Sequence, residues 1–170
     1  MKKYITIVVM VLTIIVGITA YLNMKTVAVK KDLEENALFV IKENGKEIAA
    51  IDMKTIKSLG ESKFEAKLKK SGEDPTPYTY TGVLLKKIFE NYEVELKNKS
   101  AVVVKAIDGY TVAVDIEKVL ADDNVYLTYM REGEGLGNKE DGGSGPYQMI
   151  ISKDPFSQYW CKFALEADAQ

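Results

Sequence analysis

A lone tryptophan, a lone arginine and a glycine-rich loop carry most of the chemistry legible in this sequence. Trp160 is the single tryptophan, and a flat indole suits the stacking of a bicyclic heteroaromatic ring as well as it suits the start of a core strand. Arg131 is the single arginine among 23 basic residues. Its planar fork can read a carbonyl and a ring nitrogen bidentately, or a phosphate; away from any loop it would be an ordinary solvated charge. Asp108 can accept two hydrogen bonds from the amino and imino groups of a heterocycle edge, with Tyr110 closing over that ring. Asp108-Gly109 is also what a plain hairpin turn looks like. Gly142-Gly143-Ser144-Gly145-Pro146 offers Ser144 and a row of backbone N–H groups to an anion, or simply a flexible turn. Gln158 has the donor and acceptor that a heterocycle edge needs.

Equally informative is what is missing. The chain has no histidine, which removes Ser-His-Asp and Cys-His catalysis, His-ligated zinc and most general-base schemes at neutral pH. Cys161 is the single cysteine, so there is no intrachain disulfide and no multi-thiolate metal site. Without a neighbouring base it is expected to pack as a small apolar residue. No residue is assigned a catalytic role, and the chemistry left is recognition. Setting aside Lys2 and Lys3 leaves 21 basic against 25 acidic residues, a balance that argues against nucleic acid as a partner.

The elements that must position these groups follow from pattern. Residues 37–41 and 47–51 are β-rich runs around Asn44-Gly45, a turn pair suited to an antiparallel hairpin. Asp52 caps a short helix to Leu59, and residues 64–68 alternate as a half-buried strand does. Thr81 is expected to cap a helix from Gly82 to Tyr92, with Val83, Leu84, Ile88 and Phe89 on one face. Residues 101–106 and 110–114 form a hairpin through Asp108-Gly109. Asp115 caps a helix to Leu120, and residues 125–130, 146–152 and 160–165 read as strands. Arg131 to Gly145 is a long polar loop of the kind that borders binding sites. The interleaving predicts an α+β fold in a single domain, 37–168.

Ahead of that domain, Met1-Lys2-Lys3 precedes an uncharged run from Ile5 to Leu22. Eighteen residues at about 1.5 Å each nearly span a bilayer core. The best cleavage site, Ile18-Thr19-Ala20, has a bulky residue at −3, which favours an uncleaved anchor (1–22) over a removed signal. The preceding lysines place the carboxyl side outside the cytoplasm. Residues 23–36, charged and without a clean helical stripe, read as a spacer. The localisation expected is therefore the cell membrane, single-pass, with the domain extracytoplasmic.

Five segments in order carry a family resemblance: Tyr80-Thr81-Gly82-Val83-Leu84-Leu85, Ala106-Ile107-Asp108-Gly109-Tyr110, Asp123-Asn124-Val125-Tyr126-Leu127-Thr128-Tyr129, Gly143-Ser144-Gly145-Pro146 and Trp160-Cys161-Lys162-Phe163. Together they resemble the molybdopterin-binding domain of the sulfite oxidase family over roughly Phe64 to Glu166. The resemblance implies a mixed-sheet α+β fold with a pterin-accommodating pocket. In the family's enzymes a cysteine thiolate holds molybdenum, in the loop after the strand preceding the Thr-Gly-Val segment. Here that stretch is Leu68-Lys69-Lys70-Ser71-Gly72, without cysteine, so metal-centred oxygen transfer is expected to be lost. Lys69 and Lys70 stand there instead and can bind an anionic ligand, or end a strand in solvent.

The expected function is a membrane-anchored binding module for a pterin-like, molybdopterin-like or other small heteroaromatic ligand. Trp160, Arg131, Asp108, Tyr110, Ser144, Gln158 and Lys70 form its site, and no cofactor is bound covalently. The resemblance adds a membrane-protein partner as an expectation. Two alternatives keep the fold: a molybdopterin-dependent oxidoreductase, and a surface protein-interaction domain with a vestigial pocket.

Overall fold

In the computed structural model, which describes residues 2–69 and 72–170, the chain divides into two units, residues 1–35 and 36–170. The first is one helix, α1 (Lys2–Glu35). Its segment Lys3–Met24 is long and apolar enough to cross a membrane or to serve as a signal sequence. The stretch read as a spacer continues this helix to Glu35.

The second unit holds two sheets. β1 (Phe39–Glu43) and β2 (Lys46–Ile51) pair antiparallel. Asn44 and Gly45 both have positive φ, 49° and 80°, the backbone that a tight two-residue hairpin needs and that this residue pair tolerates. The Asp52 carboxylate accepts from the Thr55 N–H at 2.8 Å and starts α2 (Met53–Ser58). β5 (Ala101–Ala106) and β6 (Thr111–Asp115) pair through the Asp108-Gly109 turn, with Gly109 at φ 91°. α4 (Ile116–Leu120) follows directly. The first sheet runs β2-β1-β10-β5-β6, with β10 (Ala164–Ala169) parallel to β1.

The second sheet is built on β3 (Ser62–Leu68), β4 (Thr76–Leu84) and β7 (Val125–Arg131); β8 (Glu134–Gly135) and β9 (Gln148–Ile151) both pair with β7. Alternation sorts its side chains to two faces. Val125, Leu127 and Tyr129 join Val83, Met149 and Ile151 in the main core, together with Phe39, Val102 and Val112 of the first sheet. On the opposite face Ala66, Tyr80, Ile150 and Trp160 form a second cluster, covered in part by Phe64, Leu68 and Tyr78. Phe64 stacks on Tyr126 there, ring centroids 3.8 Å apart.

Three expectations about elements are corrected, the first being that Asp115 stands at the N-cap of α4 but makes no side-chain capping bond. Thr81 caps no helix: residues 81–84 belong to β4, and α3 covers only Leu85–Asn91. The same apolar residues serve either element, and pairing decides. Thr81 lies opposite Lys63 on β3 and Met130 on β7, and Gly82 sits so close to β7 that a Cβ there would be 2.5 Å from the Leu127 carbonyl oxygen. The last strand begins at Ala164, not Trp160. Residues 157–159 form a 3₁₀ turn, Cys161 makes only an isolated bridge to Met149, and Phe163 takes a positive φ of 54° before the strand starts.

Candidate functional site

The outer face of the second sheet ends at a cleft of about 330 Å³, where the β5–β6 turn and the segment 157–163 meet the end of β3. Its walls include Asp108, Tyr110, Gln158, Trp160, Lys162 and Phe163, with Lys69 and Gln148 beside them. A smaller chamber of about 30 Å³ adjoins it, walled by Tyr80, Arg131, Gly142, Gly143 and Ser144, and sharing Leu68, Gln148 and Lys162 with the cleft. The structure thus brings Trp160, Asp108, Tyr110 and Gln158 together in the cleft, and puts Arg131 and Ser144 in the chamber next to it. Lys70 lies outside the described residues.

Each side chain's freedom is set by its neighbours. Asp108 is exposed in its hairpin turn; one carboxylate oxygen accepts from the Tyr110 N–H at 3.1 Å, and the other is 3.5 Å from Lys139 Nζ. The turn and the binding group are one feature, since the Asx-type bond that shapes the turn leaves the carboxylate facing the cleft wall. The Tyr110 hydroxyl donates to the Gln158 carbonyl at 3.3 Å, tying the β5–β6 turn to the 3₁₀ turn. Lys69 Nζ donates to the Glu73 carbonyl at 2.6 Å, and Ser157 Oγ accepts from the Lys69 N–H at 2.9 Å.

Trp160 is part of the second cluster before it is part of the cleft. It is 5% exposed, meets Tyr80 edge to face and donates its indole N–H to the Ile151 carbonyl at 3.4 Å. Tyr110, 47% exposed, presents far more aromatic surface at the same cleft.

The glycine loop does not offer its N–H groups to an anion. Gly142, Gly143, Ser144 and Gly145 donate to the carbonyls of Lys139, Asn138, Leu136 and Gly137, at 3.1, 2.8, 3.0 and 2.9 Å. The donors that a nest would use are consumed in folding the loop back on itself. A Cβ on Gly143 would lie 2.3 Å from Gly137, so the glycine there permits close packing of that fold. What the loop delivers is Ser144 Oγ, which donates to Gln148 Oε1 at 2.9 Å.

Two wall residues have no counterpart in the residue-type reading. Gln148 was legible only as the one polar residue in an apolar strand, and it is 3% exposed with its carboxamide at the cleft. Lys162 stood inside the Trp160–Phe163 segment without a role of its own.

The cysteine is remote from chemistry. Cys161 is fully buried in the main core, and burial, with the Asp108 charge second, pushes its thiol up to about 12. At neutral pH it is a protonated, packed thiol. Burial also raises the Tyr80 phenol, against the opposing pull of Arg131.

No family model matches the sequence, and no curated protein sequence does either. Among solved structures, the chain is similar to the sulfane dehydrogenase SoxCD from Paracoccus pantotrophus, with a TM-score of 0.62 over 78% of this chain. The fold is of the sulfite-oxidase molybdopterin-domain type. Identity is 15%, and the match spans 37% of the SoxCD chain, so the likeness is one of architecture.

The donor set does not fit a thiolate-held metal. Residues 68–72 contain no cysteine, and the single thiol is buried and protonated in another segment. Among the described residues no three His, Cys, Asp or Glu side chains converge as ligands.

Proposed function

We propose that this protein is an extracytoplasmic, membrane-anchored binding module for a pterin-like or other small heteroaromatic ligand, without catalytic activity of its own. The observation that carries this reading is the composition of one cleft. Its volume of about 330 Å³ is at the lower end for small-molecule sites, suited to a bicyclic ring. Aromatic walls at Tyr110, Trp160 and Phe163 are combined with polar groups at Asp108, Gln148 and Gln158. Such a wall holds a flat ring by its faces and reads its edge by hydrogen bonds. Among the described residues that line it, none is a nucleophile paired with a base.

The apolar part of α1 supplies the anchor, and Lys2 and Lys3 at its amino-terminal end set the orientation. A molybdopterin-dependent oxidoreductase would need a metal ligand that the loop after β3 does not provide. The interaction-domain reading draws on Phe156 and Tyr159, each about half exposed on either side of the cleft residues Ser157-Gln158; in the binding-module reading these rings are what a membrane-protein partner meets.

The test is extraction of the purified full-length protein in acid, followed by fluorescence and mass analysis of any released heterocycle, with calorimetric titration of the emptied protein by pterin. A released or titratable pteridine supports the reading. A protein that yields none, and takes up none at millimolar concentration, removes it.

A further inference from the structure

The small chamber beside the cleft is dominated by hydrogen-bond donors. Arg131 and Lys162 each line it, and neither has a carboxylate partner among the described residues. Gln148, 3% exposed, has its carboxamide oxygen occupied by the Ser144 hydroxyl, which leaves its two amide N–H groups without a partner among the described residues. The Tyr80 hydroxyl in the same wall accepts from the Arg131 guanidinium, which has further N–H groups to offer. The acceptors among these side chains are already engaged: the Tyr80 oxygen by Arg131, and Gln148 Oε1 by the Ser144 hydroxyl. The volume, about 30 Å³, exceeds the roughly 10–15 Å³ that a single water needs, which is room for one small polar group and not for a ring. A space of that size lined by donors calls for one acceptor atom, an oxygen carrying partial negative charge.

We infer that the chamber takes an exocyclic carbonyl oxygen of the ring held in the cleft, so that the site selects oxo-heterocycles over their amino counterparts. The inference rests on the cleft being a heteroaromatic site, and it adds which member of that class is accepted. The cleft then has a chemical polarity: Asp108 offers acceptors to amino and imino groups, and Arg131, Lys162 and Gln148 offer donors to oxygen. An amino group turned into the chamber would face two cations and an amide N–H, with only hydroxyl and amide oxygens already in use to accept its hydrogens, and the buried Gln148 amide would stay unpaired.

Two pteridines differing at one position decide it: pterin, with an oxo group at C4, and 2,4-diaminopteridine, with an amino group there. Asp108 acting alone would favour the more basic diamino ring, so the sign of the preference separates the two ends of the cleft. With full-length protein in detergent micelles, calorimetry is expected to show pterin binding at least about tenfold more tightly, one unpaired polar contact being worth 1.4 kcal/mol or more. Arg131→Gln, at an exposed position where the fold tolerates change, is expected to shrink that ratio severalfold toward one while circular dichroism stays as in the parent. Equal affinities, a preference for the diamino ring, or a ratio unmoved by both Arg131→Gln and Lys162→Gln would overturn the inference and leave the binding-module reading standing. Binding of neither compound would overturn both.

Discussion

Trp160 stands edge-on to Tyr80, ring centroids 5.7 Å apart and planes at 89°, on the outer face of the second sheet. The pair closes a small apolar cluster with Ala66 and Ile150, and the same indole is a wall of the cleft. Site and secondary core are therefore built from one side chain.

The first prediction follows from that sharing. Removing a buried indole leaves a cavity, so Trp160→Ala is expected to cost about 3–5 kcal/mol of stability, against under about 2 for Trp160→Phe, which keeps a ring against Tyr80. Urea denaturation of the two variants measures both. A loss below about 1 kcal/mol for Trp160→Ala would mean that the indole is held by the cleft and not by the cluster.

How much of this was legible in the sequence depends on how local the deciding physics is. The two hairpins were legible because Asn44-Gly45 and Asp108-Gly109 select their turns by their own backbone preferences. The Asp52 cap was legible for the same reason. The segment 81–84 was not: Val83, Leu84, Ile88 and Phe89 satisfy a helical stripe, and only pairing with β3 on one side and with Leu127 and Thr128, far along the chain, on the other makes its first part a strand. In the cleft, residue type pointed to Asp108, Tyr110, Gln158 and Trp160, whose groups are unusual where they stand. It did not separate Lys162 from the other lysines, because nothing in its local sequence differs. It left open whether the glycine loop's N–H groups serve an anion or a turn, and pairing within the loop, which sequence does not show, uses them for the turn.

The second prediction concerns Cys161. Its thiol, raised from an ordinary 9.0 to about 12 by burial, is bound to its proton more tightly in the folded chain than in the unfolded one. Its contribution to stability is therefore complete below pH 9 and is lost as pH rises toward 12, at about 1.4 kcal/mol per pH unit. Tyr129 and Tyr147, also raised by burial, add to that loss only above their ordinary value of 10.0. Cys161→Ala is expected to flatten the decline in urea midpoint between pH 9 and 10. In the native protein at pH 8, a thiol reagent should react no faster than the chain unfolds; rapid stoichiometric labelling would contradict the buried placement.

The third prediction is compositional. Elemental analysis of the purified full-length protein is expected to find molybdenum and tungsten far below one atom per chain, because residues 68–72 lack a thiolate and Cys161 faces the core. About one atom of either per chain would require a ligand set other than the family's.

The fourth concerns topology. With Lys2 and Lys3 at the amino-terminal end of the apolar segment Lys3–Met24, the domain is expected outside the cell. Protease added to intact protoplasts should digest residues beyond Asn36 while a cytoplasmic marker survives. Full protection of the domain would reverse the orientation.

The fifth tests the acceptor end of the cleft. Lys139 reaches from the glycine loop to within 3.5 Å of Asp108, with both side chains substantially exposed. An exposed pair of this kind is worth about 0–1 kcal/mol, so Lys139 competes only weakly with a ligand for the carboxylate. Lys139→Met is expected to tighten pterin binding by at most about fivefold, the factor that 1 kcal/mol allows. Asp108→Asn replaces two acceptors by one acceptor and one donor, and is expected to weaken binding about tenfold or more, with little change in stability because the asparagine oxygen can still accept from the Tyr110 N–H. Calorimetry on both variants reads the two effects in opposite directions. If Asp108→Asn bound pterin as tightly as the parent, the ring edge would be read elsewhere in the cleft, with Gln158 and Ser157 the next polar groups to test.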